Sequence, residues 1–217
     1  MKKTKIFGVY KEKNNLFTEN PEECKGFKVY NERIIKQKGK EFRSWNPYRS
    51  KLSAAILNGL DFKIDMNFNI LYLGAATGTT VSHFSDIVKN GAIFSVEKSP
   101  VAVKKLLKIS EIRKNIIPIL EDAFHPDKYS SITPKVDLVY QDISQRNQAD
   151  IFISNAKRYL KKKCTGILIV KARSVDVSLK PKEAYELVGS KLEDSGIKIK
   201  EKIDLKPYEK DHAALII

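Results

Sequence analysis

From Asn69 onward the apolar positions alternate between two rhythms. Predominantly apolar runs occupy residues 70–73, 92–96, 116–120, 136–140 and 167–170, broken only by Ser95 and Asp137. Short runs of this kind predict strands buried on both faces. Between the first two, Val81, Phe84, Ile87 and Val88 recur at three- and four-residue spacing, and Asn90-Gly91 closes the segment. That spacing puts them on one face of a helix. Further helices are expected over 101–112, 151–160 and 181–195. Strands alternating with helices predict an α/β fold: a mostly parallel, Rossmann-like sheet flanked by helices. Residues 199–205 and 213–217, across Pro207-Tyr208, read as a closing antiparallel pair.

The first 45 residues follow neither rhythm. Short β-like runs at 5–10 and 26–30 are separated by Asn, Glu, Pro and Gly, so 1–45 is expected to be a small β-rich N-terminal unit. Asn46 is a good N-cap and Pro47 suits a first helical position. A helix is therefore predicted to open there, with Leu52, Ala55, Ile56 and Leu60 along it, as the start of the main domain, 46–217.

Composition narrows the class. The chain has 217 residues, 42% hydrophobic, which is enough for a sizeable core and excludes a disordered chain. Lys and Arg number 40 against 26 acids, a formal charge of +14. Such a surplus favours a polyanionic partner, because cations that neutralise phosphates release counterions. Cys24 and Cys164 form no CxxC and are expected to be reduced. No run approaches a membrane span and the basic start is too short for a signal peptide, so a soluble cytoplasmic protein with no membrane partner is expected. No metal-ligand spacing is present.

Candidate chemistry gathers where open α/β sheets bind ligands, at the carboxyl ends of strands. Gly74, Glu97, Asp122, Asp142 and Lys171 each follow or end one of the five predicted strands. The first turn, Gly74-Ala75-Ala76-Thr77-Gly78-Thr79-Thr80, lets backbone approach a ligand, yet Ala76 breaks the GxGxxG pattern and no P-loop lysine follows. A ligand with an amino-acid end and a nucleoside end but no phosphate, such as S-adenosylmethionine, suits it better than a dinucleotide. Glu97 stands at the spacing of a ribose-diol acceptor. Asp122 is placed for the adenine side, and Asp142 for the ammonium and sulfonium end. His83 and His125 are expected to be structural or surface residues, Trp45 a packing anchor, and Lys161-Lys162-Lys163 a solvated helix end.

Four segments carry a resemblance. Phe42-Arg43-Ser44-Trp45-Asn46-Pro47-Tyr48-Arg49-Ser50-Lys51-Leu52, the cofactor loop from Leu73 to His83, the run Asn115-Ile116-Ile117-Pro118-Ile119-Leu120-Glu121-Asp122-Ala123, and Pro207-Tyr208-Glu209-Lys210-Asp211-His212-Ala213 resemble the fibrillarin family in its short archaeal form. The resemblance implies a class I methyltransferase sheet and an S-adenosylmethionine-dependent RNA 2′-O-methyltransferase acting on rRNA and tRNA. It implies a catalytic set of Lys51, Asp142, Lys171 and His212. Cofactor contacts fall, on the same basis and on strand-end placement, to Gly74, Ala75, Thr79, Thr80, Glu97, Lys98, Asp122, Ala123, Asp142 and Gln145. It further implies a box C/D guide RNA, a Nop5-type scaffold protein and an L7Ae-type kink-turn-binding protein as partners. A small-molecule O-methyltransferase, a nicotinamide-dependent oxidoreductase and a non-catalytic RNA-binding subunit are the competing readings.

Overall fold

The computed structural model describes residues 1–217. An antiparallel sheet comes first: β1 (Lys2–Lys3), β2 (Val9–Glu12), β3 (Asn15–Asn20), β4 (Ile34–Gln37) and β5 (Lys40–Trp45), in the order β1-β2-β3-β5-β4. Its strands differ from those expected. Residues 5–8 form a turn closed by Val9 N–H donating to Ile6 O, with Gly8 at φ +74°. Residues 26–30 form no strand, because carboxylates take their amides: Gly26 N–H goes to Glu41, and those of Val29 and Tyr30 go to Glu32. The strands missed in the sequence are β1, β3, β4 and β5. β4 and β5 are joined by the two-residue turn Lys38-Gly39, both with positive φ, the geometry that suits the right-handed twist of a hairpin.

The predicted helix start is also displaced. Asn46 opens a turn instead, its Oδ1 accepting from Tyr48 N–H and its carbonyl from Arg49 N–H. Helix α1 (Lys51–Leu57) starts four residues later than expected, capped by Ser50, whose Oγ accepts from Ser53 N–H.

The second sheet follows the predicted alternation: β6 (Ile70–Leu73), α2 (Thr79–Ile87), β7 (Ile93–Glu97), α3 (Pro100–Ser110), β8 (Ile116–Leu120), β9 (Val136–Gln141), α4 (Gln148–Tyr159), β10 (Leu160–Lys171), α5 (Ala172–Val175), α6 (Pro181–Asp194), β11 (Glu201–Asp204) and β12 (His212–Ile216). The strand order is β11-β12-β10-β9-β6-β7-β8. β6 to β10 are mutually parallel, and β12 is antiparallel to both its neighbours. Lys161, Lys162 and Lys163 are not a helix end: α4 stops at Tyr159, and the lysines lie exposed on an irregular start of β10, with Lys163 at φ +63°.

Strand pleating divides the core in two. Ile70 and Tyr72 face one apolar cluster, shared with α2 and the N-terminal sheet through Leu16, Trp45 and Phe84; Leu71 and Leu73 face the other, shared with α4 and α6. A buried polar network also ties the N-terminal sheet to α2. The Arg43 guanidinium donates to Glu32 and Asp86 (2.6 and 2.8 Å) and to Ser82, while Arg113 donates to the second Asp86 oxygen and to Asn20. His83 is buried between Thr18 and Tyr30, stacked on Trp45 at 4.8 Å. Burial, reinforced by the Arg43 and Arg113 charges, pushes its pKa well below the usual value, so it is a neutral core histidine. Trp45 is likewise buried, His125 is exposed, and both cysteines are free.

Candidate active site

The chain runs outward through β6, β7 and β8, then returns to lay β9 on the far side of β6. That reversal opens a crevice at the carboxyl ends of β6 and β9, the expected place for a ligand. The two strand ends meet closely there. Gly74 sits at φ +83°, and a Cβ on it would lie 2.5 Å from the Asp142 carbonyl oxygen and 2.9 Å from Ile143. Only glycine meets both conditions, the left-handed backbone and the close approach.

A cavity of about 270 Å³ opens beside this crossing. Of the residues singled out in the sequence, Gly74, Glu97, Lys98, Asp122, Ala123, Asp142, Gln145 and Lys171 line it. Ala75, Thr79 and Thr80 do not. Ala75 is buried, Thr79 is the first residue of α2, and the Thr80 hydroxyl is hydrogen-bonded to Ser50 Oγ at 2.9 Å. The sequence reading missed Ala76, Val96, Glu121, Ile143 and Ser144 as lining residues. Each is a chain neighbour of a residue it did select, so adjacency alone was the available signal.

Glu97 is held by the loop it faces. Its Oε2 accepts from Ala76 N–H (2.9 Å) and its Oε1 from Ser99 N–H (2.8 Å). Each carboxylate oxygen has two acceptor sites, so each retains one for a hydroxyl. Asp122 is similarly braced by Phe124 N–H, and Lys98 Nζ lies 3.9 Å from its free oxygen.

At the other end, Asp142 bridges two lysines that are distant in sequence. Lys51 Nζ stands 3.3 Å from its Oδ2 and Lys171 Nζ 2.8 Å from its Oδ1. Burial alone would raise the Asp142 carboxyl; the two ammonium groups outweigh that and hold it below the usual carboxylate range. Lys171 also donates to Ser144 Oγ at 2.6 Å. Its contact with Asp142 Oδ1 is an ion pair outside hydrogen-bonding geometry, and an ammonium has three donors, so donor capacity remains for a further oxygen. Lys51 is positioned by the Ser50 hydroxyl, which caps α1 and also bonds Trp45 Nε1 and Thr80.

His212 begins β12, directly opposite Lys171 in the register. Its Nδ1 is 2.6 Å from the Lys210 carbonyl. A carbonyl only accepts, so in the neutral ring Nδ1 carries the proton and Nε2 keeps its lone pair.

The donor set tests the ligand class. Four carboxylates (Glu97, Glu121, Asp122 and Asp142) line the cavity against two lysines. A pyrophosphate would meet repulsion here, whereas a cationic ligand with a ribose diol would find acceptors for both. S-adenosylmethionine has that chemistry and fits. Together, the topology, the glycine crossing and the carboxylate-lined crevice define a Rossmann-like methyltransferase.

The sequence profile of the family described as fibrillarin matches residues 1–217. A fibrillarin-like rRNA/tRNA 2′-O-methyltransferase of Methanothermobacter thermautotrophicus is 46% identical over 211 residues, covering 97% of this chain and 93% of that protein. Among solved structures, Aeropyrum pernix fibrillarin with natively bound S-adenosyl-L-methionine is similar at 41% identity and a TM-score of 0.84, over 93% of this chain and 88% of that one. The fibrillarin of a fibrillarin/Nop5p complex matches at 42% identity and a TM-score of 0.88, over 97% of both chains. The chain belongs to the fibrillarin family.

Proposed function

We propose that this chain is an S-adenosylmethionine-dependent methyltransferase for ribose 2′-hydroxyls of rRNA and tRNA. The observation that carries the reading is the Lys51–Asp142–Lys171 cluster beside the cavity. It puts a fixed negative charge and a free N–H donor at the place where a cationic donor would meet a hydroxyl acceptor. The M. thermautotrophicus relative bears that activity in its name, and the A. pernix structure contains that cofactor.

Glu97 would hold the ribose diol, Asp122 and Ala123 the adenine side, and Asp142 with Gln145 the amino-acid end. When bound, the cofactor supplies a methyl group on a positively charged sulfur. The protein's contribution is alignment and a path for one proton. Lys171, with one donor direction committed to Ser144 and its charge paired with Asp142, directs a remaining donor at the 2′-oxygen and fixes its approach. His212 Nε2, the free lone pair opposite Lys171, receives the hydroxyl proton. Lys51 keeps Asp142 ionised and in place. A non-catalytic RNA-binding subunit would have no need to keep a buried carboxylate ionised between two lysines, and the charge of +14 suits RNA better than a small acceptor.

Target choice is assigned to partners: box C/D guide RNA pairing with the target, a Nop5-type scaffold, and an L7Ae-type protein on the guide's kink-turn. The solved fibrillarin/Nop5p complex supports the scaffold. No helix is long and apolar enough to cross a membrane, in keeping with action in the cytoplasm of an archaeal-type cell.

Calorimetry with S-adenosylmethionine, wild type against Glu97→Ala, tests the site. Micromolar binding that collapses in the variant is expected. A second measurement, methyl transfer to an acceptor RNA in the reconstituted guide complex, should lose most of its rate in Lys171→Ala. Normal turnover in that variant would refute the assigned role.

A further inference from the structure

Trp45, the one tryptophan of the sequence motif that carries Lys51, is buried and cannot reach RNA. Tyr48 is the opposite case: 64% of it is exposed, in a protein whose other tyrosines are largely covered. It does not stand alone. Its ring meets that of Tyr208 edge to face, centroids 5.4 Å apart. The two rings sit on the two loops that deliver catalytic side chains. Tyr48 lies three residues before Lys51, and Tyr208 four residues before His212.

Both loops are fixed. Asn46 accepts from the Tyr48 N–H through its side chain, and Arg49 N–H donates to the Asn46 carbonyl. The Asn58 side-chain amide, at the end of α1, donates to the Asp204 and Lys206 carbonyls at 2.7 Å each, which holds the Tyr208 loop against the helix. Tyr208 N–H donates to Leu205 O, and its ring packs on the core. The result is a braced aromatic pair on the chain segments that lead into Lys51 and His212, with the exposed Arg49 next to Tyr48 in the chain.

We propose that Tyr48 and Tyr208 form the platform on which the acceptor nucleotide rests, with Arg49 on its backbone phosphate. This rests on the methyltransferase reading above. Aromatic faces take any base, and a cation beside them takes the phosphate, which is how strands are held without sequence choice. Such a surface suits an enzyme whose target is chosen elsewhere. The platform sets the distance from the 2′-oxygen to Lys171 and His212, so Tyr48 is a positioning residue.

The test uses the reconstituted guide complex and a short acceptor RNA, after wild-type cofactor binding and turnover have been established; failure at that earlier stage sinks the function, not the platform. Tyr48→Ala should lower kcat/KM for RNA about tenfold, toward the low end of what one base–aromatic contact supplies. Tyr48→Phe should restore it, because the ring face is kept. Cofactor affinity and thermal midpoint should not change, since the side chain is largely exposed. Arg49→Ala should reduce the slope of log affinity against log salt by about one phosphate contact. An unchanged kcat/KM in Tyr48→Ala, or a loss traced to failed assembly with the scaffold protein, overturns the proposal.

Discussion

Replacing Arg43 by Met removes the centre of the buried network that joins the N-terminal sheet to α2. The guanidinium is 0% exposed and faces Glu32 and Asp86, also 0% exposed, along with both Ser82 oxygens. Breaking a buried ion pair by deleting one partner costs about 3–5 kcal/mol, because a charge is left without compensation. Here the surviving partners soften the loss. Glu32 keeps the amides of Val29 and Tyr30, and Asp86 keeps Arg113 and the Thr18 hydroxyl. The cost should therefore fall near the lower end, about 3 kcal/mol, which for a chain of this size is a drop in Tm of about 6–12 °C. Urea denaturation with tryptophan fluorescence is a suitable assay, because the one tryptophan, Trp45, is stacked on His83 within the same network. A loss below about 1 kcal/mol, the range of an exposed pair, would refute the reading of this network as the staple between sheet and helix.

Gly74→Ala should abolish cofactor binding by calorimetry while leaving a folded protein, because the added Cβ would lie 2.5 Å from the Asp142 carbonyl and force β6 and β9 apart where the cavity opens; wild-type affinity would show that the crossing does not shape the site. Ser50→Ala should cost about 1–2 kcal/mol in denaturant unfolding, since one hydroxyl caps α1 and bonds both Trp45 and Thr80, and it should slow methyl transfer by loosening Lys51; a stability change without a rate change would separate cap from catalysis. His83 stays neutral in the fold while the unfolded chain protonates it near pH 6.5. Its contribution is thus fully present above that pH and lost as the pH falls below it, at up to about 1.4 kcal/mol per pH unit. Urea midpoints between pH 7 and 5 should fall more steeply for wild type than for His83→Gln, and equal slopes would contradict a neutral buried imidazole.

How much was legible depended on how local the cause was. The strands β6 to β10 were visible because parallel strands covered on both faces are apolar at most positions, a pattern carried within about five residues. Their ends were visible for the same reason, because Glu97, Asp142 and Lys171 interrupt those runs. The N-terminal strands were misplaced. β3 and β5 pair across more than twenty residues, and amides that seemed available for a ladder at 26–30 belong to Glu32 and Glu41. The start of α1 went wrong because Asn46 and Ser50 are both competent caps; what favours Ser50 is its contact with Trp45 and Thr80.

The sequence by itself determined the order of strands and helices from β6 onward, the chemical character of those strand ends and, through four ordered motifs, the family. These are properties of short stretches, set by periodicity and residue type. The tertiary structure decided which of those groups act together. Lys51 and Asp142 are 91 residues apart, yet share an ion pair. Thr80, a cofactor candidate from the resemblance, is hydrogen-bonded to Ser50, and Tyr48 becomes part of an aromatic pair only because Tyr208 arrives beside it. Asp142 arrives with the reversal at β9, Lys51 with α1 and Tyr208 with the loop before β12, and side-chain hydrogen bonds act only over the few ångströms to which folding brings each pair.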